Sequence, residues 1–145
     1  MAALSDEVQP DFIQLHGHEA PERVAEIATR ARIPLIKAVP VSSTADIAAA
    51  HLYEPHVAHL MFDAKPPKDA VLPGGLGLSF DWSLMQGYQG GKPWFLAGGL
   101  TPDNVAAAIR QSGAPMVDVS SGVESAPGVK DDAKISSFLK AVKAL

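Results

Sequence analysis

Residues 93–131 read PWFLAGGLTPDNVAAAIRQSGAPMVDVSSGVESAPGVKD, and the rest of the chain repeats their plan. It contains two apolar runs, 94–97 and 116–119, each long enough for a buried strand and each followed by small residues that let the backbone turn sharply. After the first run come Gly98, Gly99 and Leu100, then Thr101-Pro102-Asp103-Asn104. That order predicts a helix start with Thr101 as N-cap, Pro102 at the first helical position and Asp103 in the first turn. After the second run come Ser120, Ser121 and Gly122, then a Ser/Pro/Gly segment suited to a brief helix. Strands that deliver glycines and helix N-termini to one end of a sheet collect backbone N–H groups and positive dipole ends there, which is what holding a phosphate requires. The pattern predicts a site for a phosphorylated small molecule. The plainer alternative is that Gly98-Gly99 is only a strand-to-helix turn and 120–122 only a polar loop. A glycine pair is a weak signal taken singly, and its repetition on successive units favours the phosphate reading.

Outward from this stretch the same plan recurs. Residues 12–15 form a short β-like run that breaks at His16-Gly17, and Pro21 opens a helix to about Arg32 with Val24, Ile27, Ala28 and Ala31 on one face. Residues 34–39 give the next strand, and Ser43 or Thr44 caps a helix over 45–52. A third strand at 59–62 ends at Asp63. The longest irregular segment, 64–77, carries Lys65 and Lys68 beside two prolines; a loop of that length in a compact domain predicts a lid or a binding loop. A short helix is expected over 78–87, and the chain closes at 132–145 with an amphipathic helix placing Ile135, Phe138, Leu139 and Val142 on one side. Strand and helix alternate about five times, which argues for an α/β fold with a parallel sheet of βαβ units and a single domain over residues 1–145.

Composition narrows the function classes. With 145 residues, 47% of them hydrophobic, the chain can bury one core. A formal net charge of −4 and the lack of a dense Lys/Arg run argue against nucleic acid and against an anionic membrane surface as partners. There is no cysteine, which excludes disulfides and thiolate metal sites and is compatible with a cytoplasmic setting. Asp6 and Glu7 sit where a signal peptide needs basic residues, and no apolar stretch approaches the length of a membrane span. The His16-Gly17-His18-Glu19 spacing invites a metal reading, but Gly17 ends the strand and with it the alternation that would help, so no metal is expected. Lys37 lies inside an apolar strand and is costly to bury unpaired; a partner carboxylate in the sheet interior is expected rather than a Schiff base. Trp82 and Trp94 read as core.

Five motifs, in order, are specific enough to carry a resemblance: QLHGHE at 14–19, LMFDAKPP at 60–67, PGGLGLSFDW at 73–82, LAGGLTPDNV at 96–105 and VDVSSGVESAPGVKD at 117–131. Together they resemble phosphoribosylanthranilate isomerase, a (β/α)₈ barrel family that performs the Amadori rearrangement of N-(5′-phosphoribosyl)anthranilate in tryptophan biosynthesis without metal or organic cofactor. The resemblance covers essentially the whole chain. It implies that QLHG marks the fourth barrel strand, so the expected architecture is a partial TIM barrel of about five parallel units, strands four to eight. The family's general base is a cysteine in a Lys-(Ile or Val)-Cys-Gly motif on the first strand, and an arginine in the early part of the barrel contacts the anthranilate; neither motif is found here. The resemblance assigns Asp63 as the catalytic general acid toward the furanose ring oxygen. It assigns Gly98, Gly99, Ser121 and Gly122 as the phosphate cradle, and His16 and Asp118 as groups lining the substrate. Leu76 departs from the family's loop, which often has Gly-Gly-Thr-Gly or Gly-Gly-Ser-Gly, so a hydroxyl contact from that position is not expected.

Three readings follow. The first is the isomerase, with the isolated chain inactive for want of the base. The second is a catalytically empty phosphate-binding remnant, and the third another sugar-phosphate barrel enzyme; the QLHG and SSGVES motifs favour the first over the third. Strands four to eight alone also leave two open sheet edges, which predicts either self-association or pairing with a missing N-terminal segment.

Overall fold

The computed structural model describes residues 8–64 and 79–145. The expectations for Lys65, Lys68, Leu76, most of the 64–77 loop and the first residues of the chain lie outside the described residues.

Five parallel strands form one sheet in sequential order: β1 (Ile13–Leu15), β2 (Leu35–Val41), β3 (His59–Ala64), β4 (Trp94–Leu96) and β5 (Met116–Val117). The helices α1 (Pro21–Ala31), α2 (Thr44–Ala50), α3 (Val105–Ser112) and α4 (Asp132–Lys143) follow the expected alternation. Local chemistry sets their ends. Pro21 opens α1 at a position where its missing N–H is no loss, and the helix stops at Arg32, whose φ of 54° is left-handed. Ser43 and Asp46 form a capping box at α2, each side chain satisfying the other's backbone N–H. Asp131 caps α4 by accepting from the Lys134 N–H at 2.9 Å.

Alternation along the strands separates two faces. Leu35, Val39 and Val41 of β2, Leu60 and Phe62 of β3, and Leu96 of β4 point to the helices and join Val24, Ile27, Val105 and Phe138 in the main core. The opposite face carries a smaller buried cluster of Ala38, Met61 and Ala97, flanked by Ile36 and Phe95. Register fixes this division: Ala38 pairs with Met61, Met61 with Phe95, and Pro40 with Asp63. Asp63 therefore lies on the face away from the helices, as do His16, one residue beyond Leu15, and Asp118, one residue beyond Val117. None of the described helices is long and apolar enough to cross a membrane.

The structure corrects several expectations. Residues 102–104 form a turn, and α3 begins only at Val105 with Asn104 at the N-cap, because the Asn104 carboxamide ties the turn into a closed shape of its own. The expected helix over 78–87 is a single 3₁₀ turn, Trp82–Met85. Residues after Gly122 form an antiparallel hairpin, β6 (Glu124–Ala126) with β7 (Val129–Lys130), where only a brief helix was expected; a 3₁₀ turn at Ser121–Val123 precedes it. Leu139 is 50% exposed and does not share the buried side of α4 with Phe138. Lys37 has its partner carboxylate, Glu19, but on the helix-facing side of the sheet, since it pairs in register with Leu60.

β1 and β5 are the outer strands of the sheet, so half of their backbone groups point away from any partner among the described residues. Hydrogen exchange of the 145-residue chain is expected to show weak protection in β1 and β5 and much stronger protection across β2 and β3. Uniformly strong protection in all five strands would show that the outer edges are paired in some other way.

Candidate functional site

The carboxyl ends of β1, β3 and β5 bring His16, Asp63 and Asp118 together. His16 Nε2 lies 3.5 Å from Asp63 Oδ2, with the Asp63 side chain 15% exposed and the His16 ring 43% exposed. Asp63 Oδ1 accepts the Ala64 N–H at 2.8 Å, which leaves Oδ2 directed at His16. Burial pushes the Asp63 carboxyl above the ordinary aspartate range; the Ala64 N–H and nearby His16 oppose this, and Asp118 adds to it by repulsion. Asp118 is also raised, first by desolvation at the sheet end, with His16 and Lys130 pulling the other way. Two neighbouring carboxyls that both resist ionisation form an arrangement able to hold and transfer a proton.

The glycine turns close around the same end. Gly98 has φ of 87° and Gly99 of 63°. A Cβ placed on Gly98 would stand 2.5 Å from the Ala64 nitrogen and 2.7 Å from Asp63 Oδ1, so this glycine lets the β4 turn pack directly against the acid. A Cβ on Gly122 would overlap the Leu100 carbonyl oxygen, so the turn after β5 touches the turn after β4. Asn104 pins the turn after β4: its Oδ1 accepts the Thr101 N–H at 2.8 Å and its Nδ2 donates to the Gly99 carbonyl at 2.9 Å. Lys130, on the unexpected hairpin, donates to the Ser120 carbonyl at 2.9 Å and pairs with Glu124 at 2.8 Å, fixing the backbone just before Ser121.

The site residues expected from sequence thus lie at one end of the sheet: His16, Asp63 and Asp118 on three strand ends, with Gly98, Gly99, Ser121 and Gly122 in two touching turns. Asn104 and Lys130 were missed. In sequence Asn104 reads as part of a helix start, and the signal that marks it is an Asn three residues after Thr101 behind a glycine pair, a side chain able to bridge its own turn. Lys130 was hidden because a hairpin of two- and three-residue strands has no periodicity to read.

Two outcomes follow from this geometry. Replacing Gly98 by Ala forces a side chain into a left-handed backbone, at about 1–2 kcal/mol before any clash with Ala64 is relieved; denaturant unfolding is expected to show at least that loss. For Asp63 and Asp118, folded-state pKa values above the unfolded ones mean that the native state binds more protons than the unfolded state between the two values. Their contribution favours folding at low pH and is lost as pH rises through the raised values, so Asp118→Asn is expected to increase stability at neutral pH and leave it unchanged below the ordinary aspartate range. Urea titrations at both pH values check this.

A parallel α/β sheet with acids at its strand ends and glycine turns beside them defines a protein of the small-molecule-site type, with its chemistry carried outside the carboxyl ends of the strands. Comparison with known proteins narrows this. The chain matches N-(5′-phosphoribosyl)anthranilate (PRA) isomerase over residues 1–141 and belongs to that family. It is 58% identical over 136 residues to N-(5′-phosphoribosyl)anthranilate isomerase of Paramagnetospirillum magneticum, covering 94% of this chain and 63% of that protein. Its structural neighbours are isomerases of the TIM-barrel type: the Thermotoga maritima enzyme superposes with a TM-score of 0.81 at 39% identity, covering 99% of this chain and 66% of that one. Another solved isomerase, in complex with reduced 1-(O-carboxyphenylamino)-1-deoxyribulose 5-phosphate, has a TM-score of 0.78 at 37% identity and coverage of 99% and 64%. The chain spans a little under two thirds of the length of the curated relatives it matches.

Proposed function

We propose that this chain carries the acid and the phosphate cradle of an N-(5′-phosphoribosyl)anthranilate isomerase. The observation that carries the reading is the convergence of Asp63, His16 and Asp118 with the two glycine turns at one end of the parallel sheet. Its substrate is a phosphorylated small molecule. The phosphate sits on the backbone N–H groups around Gly98, Gly99, Ser121 and Gly122, and His16 and Asp118 line the sugar and the anthranilate. Asp63, whose protonated form burial favours, gives its proton to the furanose ring oxygen as the C1′–O bond breaks and the anthranilate nitrogen forms the C=N bond. Removal of the C2′ proton by a base then yields the enolamine, which tautomerises to the 1-amino-2-ketose, the carboxyphenylamino-deoxyribulose phosphate. By family resemblance that base is a cysteine, a residue type these 145 residues do not contain.

The five strands are read as strands four to eight of a closed barrel, in a single domain. The coverage of the relatives supports this, as do the outer positions of β1 and β5, where further strands would pair. Left uncovered, those edges favour self-association. Chemistry on a soluble phosphorylated intermediate suits a cytoplasmic setting. The lack of cysteine favours a second reading, a phosphate-binding remnant with no turnover of its own.

Titration with reduced 1-(O-carboxyphenylamino)-1-deoxyribulose 5-phosphate, followed by amide chemical shifts, tests the proposal. Large shifts confined to 98–101, 120–123 and the neighbours of Asp63 are expected. Shifts at the amino ends of the strands instead, or none at any concentration, would overturn it.

A further inference from the structure

Lys37 is the one buried cation of β2, and the site chemistry above makes no use of it. Its ammonium reaches from the helix-facing side around the end of β1 and donates to the Gly17 carbonyl at 2.8 Å and, more loosely, to the Leu15 carbonyl at 3.4 Å. These two carbonyls flank His16. The same ammonium pairs with Glu19 Oε2 at 2.9 Å, with the Lys37 side chain 3% exposed, and it lies 5.7 Å from the centre of the Tyr53 ring. Tyr53 closes the arrangement by donating its hydroxyl to the Glu19 carbonyl at 3.0 Å. Burial pushes the Glu19 carboxyl up, but its bonds to Lys37 and to the local backbone outweigh this and hold it below its ordinary value. Gly17 fits because a Cβ there would meet Glu19 Oε1 at 2.7 Å. A buried ammonium with a carboxylate and two carbonyls around it is a fixed point, since any departure leaves a charge without solvent or partner.

We infer that Lys37 is a positioning residue: by gripping the carbonyls on both sides of His16 and the carboxylate of Glu19, it sets the His16 ring against Asp63. The turn at 16–20 is exposed at His16, Gly17 and His18, and the ring's Nδ1 lies 3.2 Å from Gln14 Nε2, a bond that orients the ring within the backbone frame that Lys37 holds. The consequence for proton transfer rests on the proposed reading of Asp63 as the acid; the placement of His16 does not.

The test is NMR titration of the His16 ring and the Asp63 carboxyl in the unliganded chain, which needs no turnover. Asp63 is faced by His16, Asp118 and the Ala64 N–H, so its protonation is expected to appear as an inflection in the His16 ring shifts that coincides with the Asp63 carboxyl titration. In Lys37→Met that inflection is expected to be lost and the Asp63 titration to move up, as it does in His16→Asn, because the imidazole no longer opposes burial. Should Lys37→Met fail to fold with Glu19 left unpaired, the Lys37→Met, Glu19→Gln double variant removes both charges and is expected to give the same two changes. Val24→Ala, fully buried in the main core, destabilises the fold without touching the turn and is expected to keep both signals. A double variant with the wild-type inflection and an unmoved Asp63 titration would overturn the inference, as would loss of both in Val24→Ala.

Discussion

Assayed alone, the 145-residue chain is expected to give no measurable isomerase turnover, and the same chain joined to the first three strands of a family member is expected to recover it. Ring opening and proton removal at C2′ need an acid and a base in place together. On the proposed reading Asp63 supplies the first and the family's cysteine the second, and a positioned acid or base contributes roughly 10²–10⁴-fold. The larger part of the loss comes from geometry. A substrate held on one side only is not fixed in a reactive pose, and orientation of bound groups supplies about 7–11 kcal/mol of a barrier. The two deficits together take the rate below detection. Turnover by the chain alone at a rate near that of the joined protein would show that another residue here serves as base.

In the joined protein, Asp63→Asn is expected to lower kcat by roughly 10²–10⁴-fold with KM changed little, because the ring oxygen needs the proton in the transition state and not in the ground state. Asparagine keeps the shape and the oxygen that accepts from Ala64, so the fold is preserved. Stability is expected to move the opposite way. Asp63 binds its proton more tightly folded than unfolded, so losing that proton as pH rises works against the folded state, and a neutral carboxamide removes that cost. A variant that loses activity while gaining resistance to urea separates a functional acid from a structural one. Equal loss of both would assign Asp63 to the scaffold.

Much of this was legible in the sequence because the strands and glycines carry local signals. The apolar runs at 35–39 and 59–62 and the glycines after 94–97 each announce an element without help from distant residues, and the resulting sheet order is the simple one. The convergence of His16, Asp63 and Asp118 follows once the strands are parallel, since each residue sits at a carboxyl end. What stayed hidden depends on side chains that reach across the fold. Asn104 looks like an ordinary residue of a helix start until its carboxamide is seen bridging Thr101 and Gly99. The face on which Lys37 lies is set by pairing with Leu60, a register that its own segment, apolar at nearly every position, does not disclose. The Glu124–Lys130 hairpin owes its shape to Lys130 bonding Glu124 and Ser120, contacts between residues six and ten apart.

If Asp63 is the proton donor, tuned by the two groups beside it, the pH dependence of kcat/KM in the joined protein follows its titration. The acid must be protonated, so activity falls as pH rises through its value in the free enzyme. Asp118 helps to raise that value and His16 to lower it. The alkaline limb is expected to move to lower pH in Asp118→Asn and to higher pH in His16→Asn, with the substrate's own phosphate titration common to both. A limb that stays in place in both variants, or moves the same way in both, would contradict it.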